Sequence, residues 1–450
     1  MSEVFDSWQV TNLRSVAISA TDGFTDGDWI EAPYITGEGI RLIQTGNIGR
    51  AEFLEKAESR KYISNSSFRL LNCKLVKPGD LLACRLADPI GRACEVPADI
   101  GDAITSVDCT IIRVDSTRFE KRFVLHWLNS EENLKRASDM AAGSTRSRIS
   151  RSNLGKLPIP NPELSEQSLI SKVLDTLDTA IRETETLIDK LKAVKQGLLH
   201  DLLTRGIDTN GQIRPPQSKA PQLYKKSSLG WIPREWEVEP IINLTSNSVI
   251  GPFGSDLVAA DYRDSGVPVI FVRDVKPDRL VWKSNVFVSA SKAQALAAHE
   301  VRAGDVVATK MGFPPCVAAV YPESMPSGIV TADIVRLRPC TDRICPDWIS
   351  MFINSSAVAK QVEQITAGVT RPKVTLRDVR NLLIGLPPIK EQERVLDRLT
   401  AMQSRIQLEE ASHEKLTAEK AGLMDDLLTG RVRVTPLLES AQQPAAQTGA

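Results

Sequence analysis

Long hydrophobic runs are missing from this sequence of 450 residues. Charged residues interrupt every apolar stretch before it reaches the roughly 18 residues that a membrane-spanning helix needs, and the first residues lack the pattern of a secretory signal peptide. An excess of one charge is missing too, since 56 Lys and Arg residues balance 56 Asp and Glu residues. We therefore expect a cytoplasmic protein without a membrane contact, in which any nucleic-acid contact comes from local basic patches.

Clustered metal ligands are also missing. The seven cysteines include no C-x-x-C pair, and the four histidines are scattered along the chain. Zinc sites need ligands at short, regular spacing, and unpaired cysteines are ordinary in a reducing compartment. The sequence therefore predicts neither a metal site nor a bound cofactor.

The sequence contains an internal duplication. When the chain is shifted by half its length, matching blocks follow one another in the same order through nearly the whole chain. The matches include KPGDLLACR (77–85) with RAGDVVATK (302–310), Asp108 with Asp333, Thr145-Arg146 with Thr370-Arg371, Glu166-Gln167 with Glu391-Gln392, and GLLHDLLT (197–204) with GLMDDLLT (422–429).

Motifs for catalysis are absent from both copies. The sequence has no G-x-x-x-x-G-K-[ST] phosphate loop, no G-x-G-x-x-G after a strand, no G-x-S-x-G elbow and no Asn-Pro-Pro-aromatic tetrapeptide for amino methylation. Asp264, Asp274 and Lys276 have the loose spacing of a metal-dependent nuclease site. The first copy, however, places Asn47 where Asp274 falls. We therefore expect a non-catalytic chain.

Each copy divides into a strand-rich part and a proline-free, helix-patterned part at about 165–204 and 390–429. The predicted fold class is α+β, with two pseudo-repeated mixed α/β domains joined by two long helices that pair as an antiparallel coiled coil. The predicted boundaries are domain 1 at 1–156, helix 1 at 157–205, a polar linker at 206–230, domain 2 at 231–385, helix 2 at 386–432 and a disordered tail at 433–450.

Heptad repeats support the pairing of the helices. Apolar residues recur at the a and d positions of both helices, with Thr184, Lys195, Glu409, His413 and Lys420 as polar exceptions. The seam consists of Ile170, Leu174, Leu177, Ile181, Thr184, Ile188, Leu191, Lys195, Leu198 and Leu202 in the first helix, and of Val395, Leu399, Met402, Ile406, Glu409, His413, Leu416, Lys420, Leu423 and Leu427 in the second. Two amphipathic helices that each lie on their own domain are the alternative.

Two acid-free basic loops occur at the same place in both copies. One lies between Asp139 and Glu163, in AAGSTRSRIS, and the other between Glu363 and Asp378, in TAGVTRPKVT. Backbone N–H, hydroxyl and guanidinium donors in one loop suit phosphate contacts or a grip on guanine, whereas a solvated basic turn is the plainer interpretation. The predicted DNA-binding residues are Thr145, Arg146, Arg148, Arg151, Lys310, Thr370, Arg371 and Lys373.

Several motifs together resemble the specificity subunit of type I restriction–modification systems. The resemblance covers the chain up to about residue 432, although the first copy lacks the GPFGS of the second. The motifs are SLGWIPREWEV (228–238), GPFGSDL (251–257), GVPVIFVRDV (266–275), AGDVVATK (303–310), TAGVTRPKV, LPPIKEQERVLDRL and GLMDDLLTGRVRV.

The resemblance implies a DNA-recognition role. Each domain would read one half of a split site in double-stranded DNA, and the helices would set the spacer and dock two methyltransferase subunits, which endonuclease–translocase subunits join. Two alternatives stay open: a recognition subunit of another phage-defence complex, and a duplicated coiled-coil scaffold that does not bind DNA.

Overall fold

The structure is a computed structural model that describes residues 8–86, 89–143, 147–366 and 372–434. The chain divides into two compact units. Unit 1 contains Met1–Thr186 together with Glu410–Ala450, and unit 2 contains Leu187–Glu409. In the described residues, no helix is both long enough and apolar enough to cross a membrane.

Short strands and short helices form the globular part of unit 1. The strands are β1 (Gln9–Asn12), β2 (Phe24–Asp26), β3 (Ile35–Thr36), β4 (Ile40–Ile43), β5 (Lys61–Ile63), β6 (Leu81–Cys84), β7 (Ala93–Glu95), β8 (Ala103–Thr105), β9 (Cys109–Ile112) and β10 (Pro158–Asn161). The helices are α1 (Asn65–Leu70), α2 (Lys121–Leu128), α3 (Glu131–Asp139) and α4 (Arg151–Gly155), followed by the long helix α5 (Leu164–Thr204).

Unit 2 repeats this order of elements and contains five additional strands. Its strands are β11 (Tyr224–Ser227), β12 (Gly230–Pro233), β13 (Glu237–Pro240), β14 (Thr245–Ile250), β15 (Tyr262–Arg263), β16 (Val267–Ile270), β17 (Val275–Lys276), β18 (Arg279–Leu280), β19 (Phe287–Val288), β20 (Glu300–Val301), β21 (Val306–Thr309), β22 (Ala318–Val320), β23 (Gly328–Val330), β24 (Ile334–Pro339) and β25 (Leu383–Leu386). Its helices are α6 (Ala290–Ala295), α7 (Pro346–Ile353), α8 (Ser356–Ile365) and α9 (Leu376–Asn381), followed by the long helix α10 (Ile389–Thr429).

The sheets of unit 1 recur in unit 2 with the same strand order, and unit 2 adds β20 to the edge of one sheet together with the hairpins β11-β12 and β17-β18. Within the described residues of unit 1, one sheet has the order β2-β9-β6-β7, a second has the order β3-β5-β4-β8, and β1 pairs with β10. Unit 2 has β14-β24-β21-β22, β15-β19-β16-β23-β20 and the pair β13-β25. Strand β6 pairs antiparallel with β9, with Leu81 opposite Ile112, and β21 pairs antiparallel with β24, with Val306 opposite Leu337. The sheet topology therefore agrees with the duplication.

Buried side-chain hydrogen bonds also repeat between the units. Asn129 both accepts from the backbone N–H of Ala93 and donates to its carbonyl, and Asn354 does the same with Ala318. Gln167 accepts from the N–H of Glu120 and donates to the Pro162 carbonyl. These bonds satisfy backbone groups at strand and helix ends, which would otherwise be buried without a partner.

The long helices pair in an antiparallel arrangement inside each unit. Every predicted heptad position is buried or half-buried. In unit 1, Asp178 bonds Lys420, and Glu185 contacts His413 at 2.9 Å. Glu185 lies seven residues after Asp178 on α5, whereas His413 lies seven residues before Lys420 on α10, so the two helices run antiparallel. In unit 2, the Lys195 ammonium donates to the Gln403 side chain at 2.7 Å. The polar exceptions Lys195, His413 and Lys420 thus pair across the seam, and the predicted coiled coil is confirmed.

The segment after each long helix packs back onto a globular part. In unit 2, the Arg214 guanidinium makes two hydrogen bonds, of 2.5 and 3.1 Å, to the Glu391 carboxylate. In unit 1, the Arg433 guanidinium bonds Glu166 at 2.7 and 2.9 Å, and Val434 is buried. The segment expected as a polar linker is thus partly ordered, because Arg214 and the β11–β12 hairpin are held by unit 2. The rest of the expected tail, 435–450, lies outside the described residues.

Candidate nucleic-acid interface

A basic residue follows the same central strand in each unit. Arg85 comes after β6, and its N–H donates to the Asp108 carbonyl while its carbonyl accepts from Ile149. Lys310 comes after β21, and its N–H donates to the Asp333 carbonyl. Its own carbonyl likewise accepts from Val374. The backbone therefore places the predicted basic loop beside an aspartate in both units.

Arg85, Arg148 and Arg151 form what we call the basic edge of unit 1, and Arg85 is the most deeply buried of the three. Its guanidinium donates to the carbonyls of Ile149, at 3.2 Å, and Val107, and it lies 3.2 Å from the Asp26 carboxylate. Burial lowers the pKa of Arg85, although Asp26 opposes this effect. Arg85 thus holds the neighbouring loops together.

Two further cations at this edge of unit 1 reach solvent. Arg148 pairs with Asp108 at 2.8 Å, and Arg151 lies 3.9 Å from Asp26; both arginine side chains are more than two-fifths exposed. Exposed ion pairs contribute only about 0–1 kcal/mol. A DNA phosphate could therefore compete for Arg148 and Arg151 at little cost.

The basic edge of unit 2 consists of Lys310, which is buried, and Lys373, which is accessible. The Lys310 ammonium donates to the Ala332 carbonyl at 3.1 Å, and burial, aided by repulsion from Lys373, lowers its pKa. Lys373 lies 3.3 Å from Asp333 and its side chain is 52% exposed. Lys373 is therefore the better placed of the two to contact a phosphate, and Lys310 supports the loop.

The structure thus brings together four of the predicted residues in two groups, Arg148 with Arg151 and Lys310 with Lys373. The other four, Thr145, Arg146, Thr370 and Arg371, lie outside the described residues. DNA contact by all eight remains a prediction.

Sequence reasoning missed three members of these groups. Arg85, Asp108 and Asp333 were not predicted as site residues, although the duplication aligns Arg85 with Lys310 and Asp108 with Asp333. Comparison of the polar positions in the two copies could therefore have found all three.

A glycine-bearing turn next to this edge also occurs in both units. The N–H of Gly251, the first residue of GPFGS, donates to the Ile334 carbonyl. In unit 1 the N–H of Gly27 donates to the Cys109 carbonyl, which lies at the matching point of the sheet. The first copy lacks the GPFGS sequence, but Gly27, Asp28 and Trp29 occupy the corresponding turn.

The loose nuclease pattern has a structural explanation. Asp274 is fully buried, and its carboxylate accepts hydrogen bonds from the N–H groups of Phe271, Lys283 and Ser284 and from the Ser284 hydroxyl. Asn47 makes the equivalent bond to Gln44 in unit 1. Asp274 therefore orders a turn, and its oxygens face backbone donors.

One group of side chains in the described residues has the spacing of a metal site. The ligand atoms of His126, Asp175 and Asp178 lie within 4.8 Å of one another. Arg122 bonds Asp175 at 2.6 Å and Lys420 bonds Asp178. Burial would raise the pKa of Asp175, but hydrogen bonds from His126 and Arg122 outweigh it and hold that pKa well below its usual range. Because two cations already neutralise the carboxylates, we assign this group a structural role between α2 and the coiled coil.

Taken together, the duplicated domains and the paired helices define a class of protein with two related strand-rich domains, each followed by a long helix of a coiled coil. The family model for the type I restriction modification DNA specificity domain matches residues 81–193 and 348–418. The chain is 23% identical over 449 residues to the putative type I restriction enzyme MjaX specificity subunit of Methanocaldococcus jannaschii, with 96% of each chain covered.

Solved structures have the same fold. A chain from a structure describing complex assembly and conformational transition of the type I R-M system matches with a TM-score of 0.60 and 15% identity, covering 96% of this chain and all of that one. The HsdS subunit from Thermoanaerobacter tengcongensis matches with a TM-score of 0.50 and 15% identity, covering 95% and 98% of the two chains. The family model and these relatives support a type I restriction–modification specificity subunit, and the solved structures show the same fold.

Proposed function

We propose that this chain is the DNA sequence-recognition subunit of a type I restriction–modification complex, acting in the cytoplasm. Each half reads one part of a bipartite site in double-stranded DNA. The recognition domains are the strand-rich parts, 1–156 and 231–385. The observation that carries the proposal is the repetition of one fold and one basic edge in two copies of divergent sequence, since two divergent copies can read two different half-sites.

The basic edges supply phosphate contacts in this proposal. Arg148 and Arg151 in unit 1 and Lys373 in unit 2 have accessible charged ends, and Thr145, Arg146, Thr370 and Arg371 belong to the same two loops. A cation that both copies share cannot easily distinguish two different base sequences. Contacts common to the copies therefore position the DNA, and residues that differ between them select bases.

The helices set the distance between the half-sites and dock the partners. Helices α5 and α10 have 41 residues each, or about 60 Å at 1.5 Å per residue. Half-sites on one face of DNA are separated by about 34–36 Å per helical turn. Two methyltransferase subunits dock on the paired helices, and endonuclease–translocase subunits join that core.

A domain exchange tests the modular assignment. Residues 231–385 are replaced by the equivalent domain of a relative, and the methylated sites of a host expressing the chain with its methyltransferase partner are sequenced. We expect one half of the methylated motif to change and the other half to stay. Simultaneous change of both halves would contradict the assignment of one half-site to each domain.

The dependence of DNA affinity on salt separates this proposal from a scaffold that does not bind DNA. A chain that neutralises phosphates loses affinity steeply as salt rises, because bound counterions are released on binding. Binding to a duplex that carries the methylated motif is measured at three salt concentrations. A scaffold would show no binding at any of them. If the chain binds DNA but no partner methylates it, the recognition subunit belongs to another phage-defence complex.

A further inference from the structure

An exposed aromatic side chain follows the repeated glycine turn in each unit. Trp29 lies two residues after Gly27 and is 70% exposed, and Phe253 lies two residues after Gly251 and is 66% exposed. By contrast, Trp127, Trp236 and Trp348 are almost completely buried. An exposed large aromatic ring forgoes the stabilisation that burial gives. Its presence at the same position in two divergent copies therefore indicates a contact with another molecule.

The turn that carries each aromatic side chain is fixed to the sheet. A Cβ atom on Gly27 would lie 2.2 Å from the Thr105 carbonyl oxygen, and one on Gly251 would lie 2.2 Å from the Val330 carbonyl oxygen. Only glycine allows the backbone to pass this close. The aromatic side chain is thus presented from a rigid base, as precise recognition requires.

A basic side chain at the matching position of each copy stabilises the glycine turn. The Lys74 ammonium donates to the Asp26 carbonyl at 2.8 Å, and the ring Nδ1 of His299 donates to the Ile250 carbonyl at 2.7 Å. Both carbonyls belong to the residue that precedes the glycine. The two copies therefore share this hydrogen bond, although the donor is a lysine in one copy and a histidine in the other.

Each aromatic turn lies beside the basic edge. In unit 1, Asp26, which pairs with Arg85 and lies near Arg151, is three residues before Trp29. In unit 2, Pro252 and Gly254, which flank Phe253, line a cavity of about 520 Å³ together with Met311 and Asp333. A duplex whose phosphates contact the basic edge would thus bring its bases near the aromatic side chain.

We propose that Trp29 and Phe253 enter a groove of the duplex and stack on bases, one in each half-site. The inference rests on the proposed function, and it goes further by assigning base contact to these two positions. Aromatic rings stack on the π-faces of bases, and apolar side chains that insert between base steps partly unstack them. The rings differ in size between the copies, which suits two half-sites of different sequence.

The test uses the full chain assembled with its methyltransferase subunits and a duplex carrying the methylated motif. Trp29→Ala and Phe253→Ala should each weaken binding by about 5- to 150-fold, the range that alanine substitution of one base-stacking aromatic side chain gives. The slope of affinity against salt should not change, because no phosphate contact is lost. Leu70→Ala, at an exposed leucine of unit 1, and Trp231→Ala, at an exposed aromatic of unit 2, are the matched controls and should bind as the wild type does.

A second readout does not depend on affinity. With 2-aminopurine placed in turn at each position of a half-site, binding of the wild type should change the fluorescence at one position, and Trp29→Ala should abolish that change. Trp29→Phe should restore the change and most of the affinity. Failure of the phenylalanine to rescue, affinities equal to those of the controls, or fluorescence changes that are independent of Trp29 would each overturn the inference.

The outcomes also separate this inference from the proposed function. If the wild-type complex binds cognate and scrambled duplexes equally, both fail. If it binds the cognate duplex selectively and the two alanine variants match Leu70→Ala and Trp231→Ala, only the stacking inference fails.

Discussion

The buried ion pair of unit 2 allows a quantitative prediction about stability. The side chains of Arg214 and Glu391 are 8% and 4% exposed. The Glu391 carboxylate also accepts from the Ile207 N–H at 2.9 Å and from the Trp236 indole N–H at 3.1 Å. In Glu391→Gln the shape is kept, but the side-chain amide would face the Arg214 donors, and the buried guanidinium would keep only the exposed Glu235 carboxylate, at 3.6 Å, as a counter-charge.

Removing one partner of a buried ion pair costs about 3–5 kcal/mol. For a unit of about 220 residues, 1 kcal/mol corresponds to roughly 2–4 °C in Tm. We therefore expect Glu391→Gln to lower the Tm of the transition that unfolds unit 2 by about 6–20 °C. Differential scanning calorimetry of the full chain measures this shift.

The corresponding pair in unit 1 provides a matched control. Glu166 bonds Arg433 and the Trp8 indole N–H, but the Arg433 side chain is 39% exposed. Water can solvate that guanidinium when its partner is neutralised, so Glu166→Gln should cost only about 1 kcal/mol. Equal shifts for the two glutamine variants would refute the argument that burial of the arginine decides the cost.

Three further outcomes follow from the structure. Ile406→Asp buries a charge in the coiled-coil seam and should destabilise by about 3 kcal/mol or more, whereas Leu408→Asp, two positions away and 66% exposed, should have no effect on helix unfolding followed by circular dichroism. Lys373→Ala should reduce the slope of log affinity against log salt by about one, equally for cognate and scrambled duplexes; a loss restricted to the cognate duplex would indicate base contact instead. Because the fold holds the pKa of Asp175 below the unfolded value of about 3.9, its contribution is full above about pH 4 and declines as the pH falls towards the lower folded value. Asp175→Asn should therefore lack this acid-dependent loss when unfolding is measured from about pH 7 to pH 2, and an unchanged pH profile would argue against it.

Periodicity made the long helices predictable. A heptad repeat specifies which residues face the partner whatever the surrounding fold, so the seam from Ile170 to Leu202 could be listed from the sequence and is found buried or half-buried. The duplication was equally visible, because it is a property of residue order. Strand-rich segments were predicted but their pairing was not, since short buried strands such as β6 and β21 show no period that identifies their neighbours.

The basic edge was visible only in part. A stretch without acids drew attention to Arg148, Arg151 and Lys373, but a sequence scan does not show that Asp108 and Asp333 fold back onto these cations. The nuclease-like spacing around Asp274 illustrates the opposite error, because spacing along the chain does not reveal that the carboxylate is buried among backbone donors.

What the sequence alone determined was therefore the part governed by local repetition: two copies, two long helices and the residues of their seam. The tertiary structure decided which charges are available. Arg85 and Lys310 carry the same positive charge as Lys373, but they are buried and bond the neighbouring loops. Packing between distant parts of the chain determines which of these side chains is exposed. The tertiary structure also decided that Gly27 and Gly251 occupy equivalent turns, although their flanking sequences differ. The two turns are equivalent because each glycine approaches the matching backbone carbonyl of a neighbouring strand.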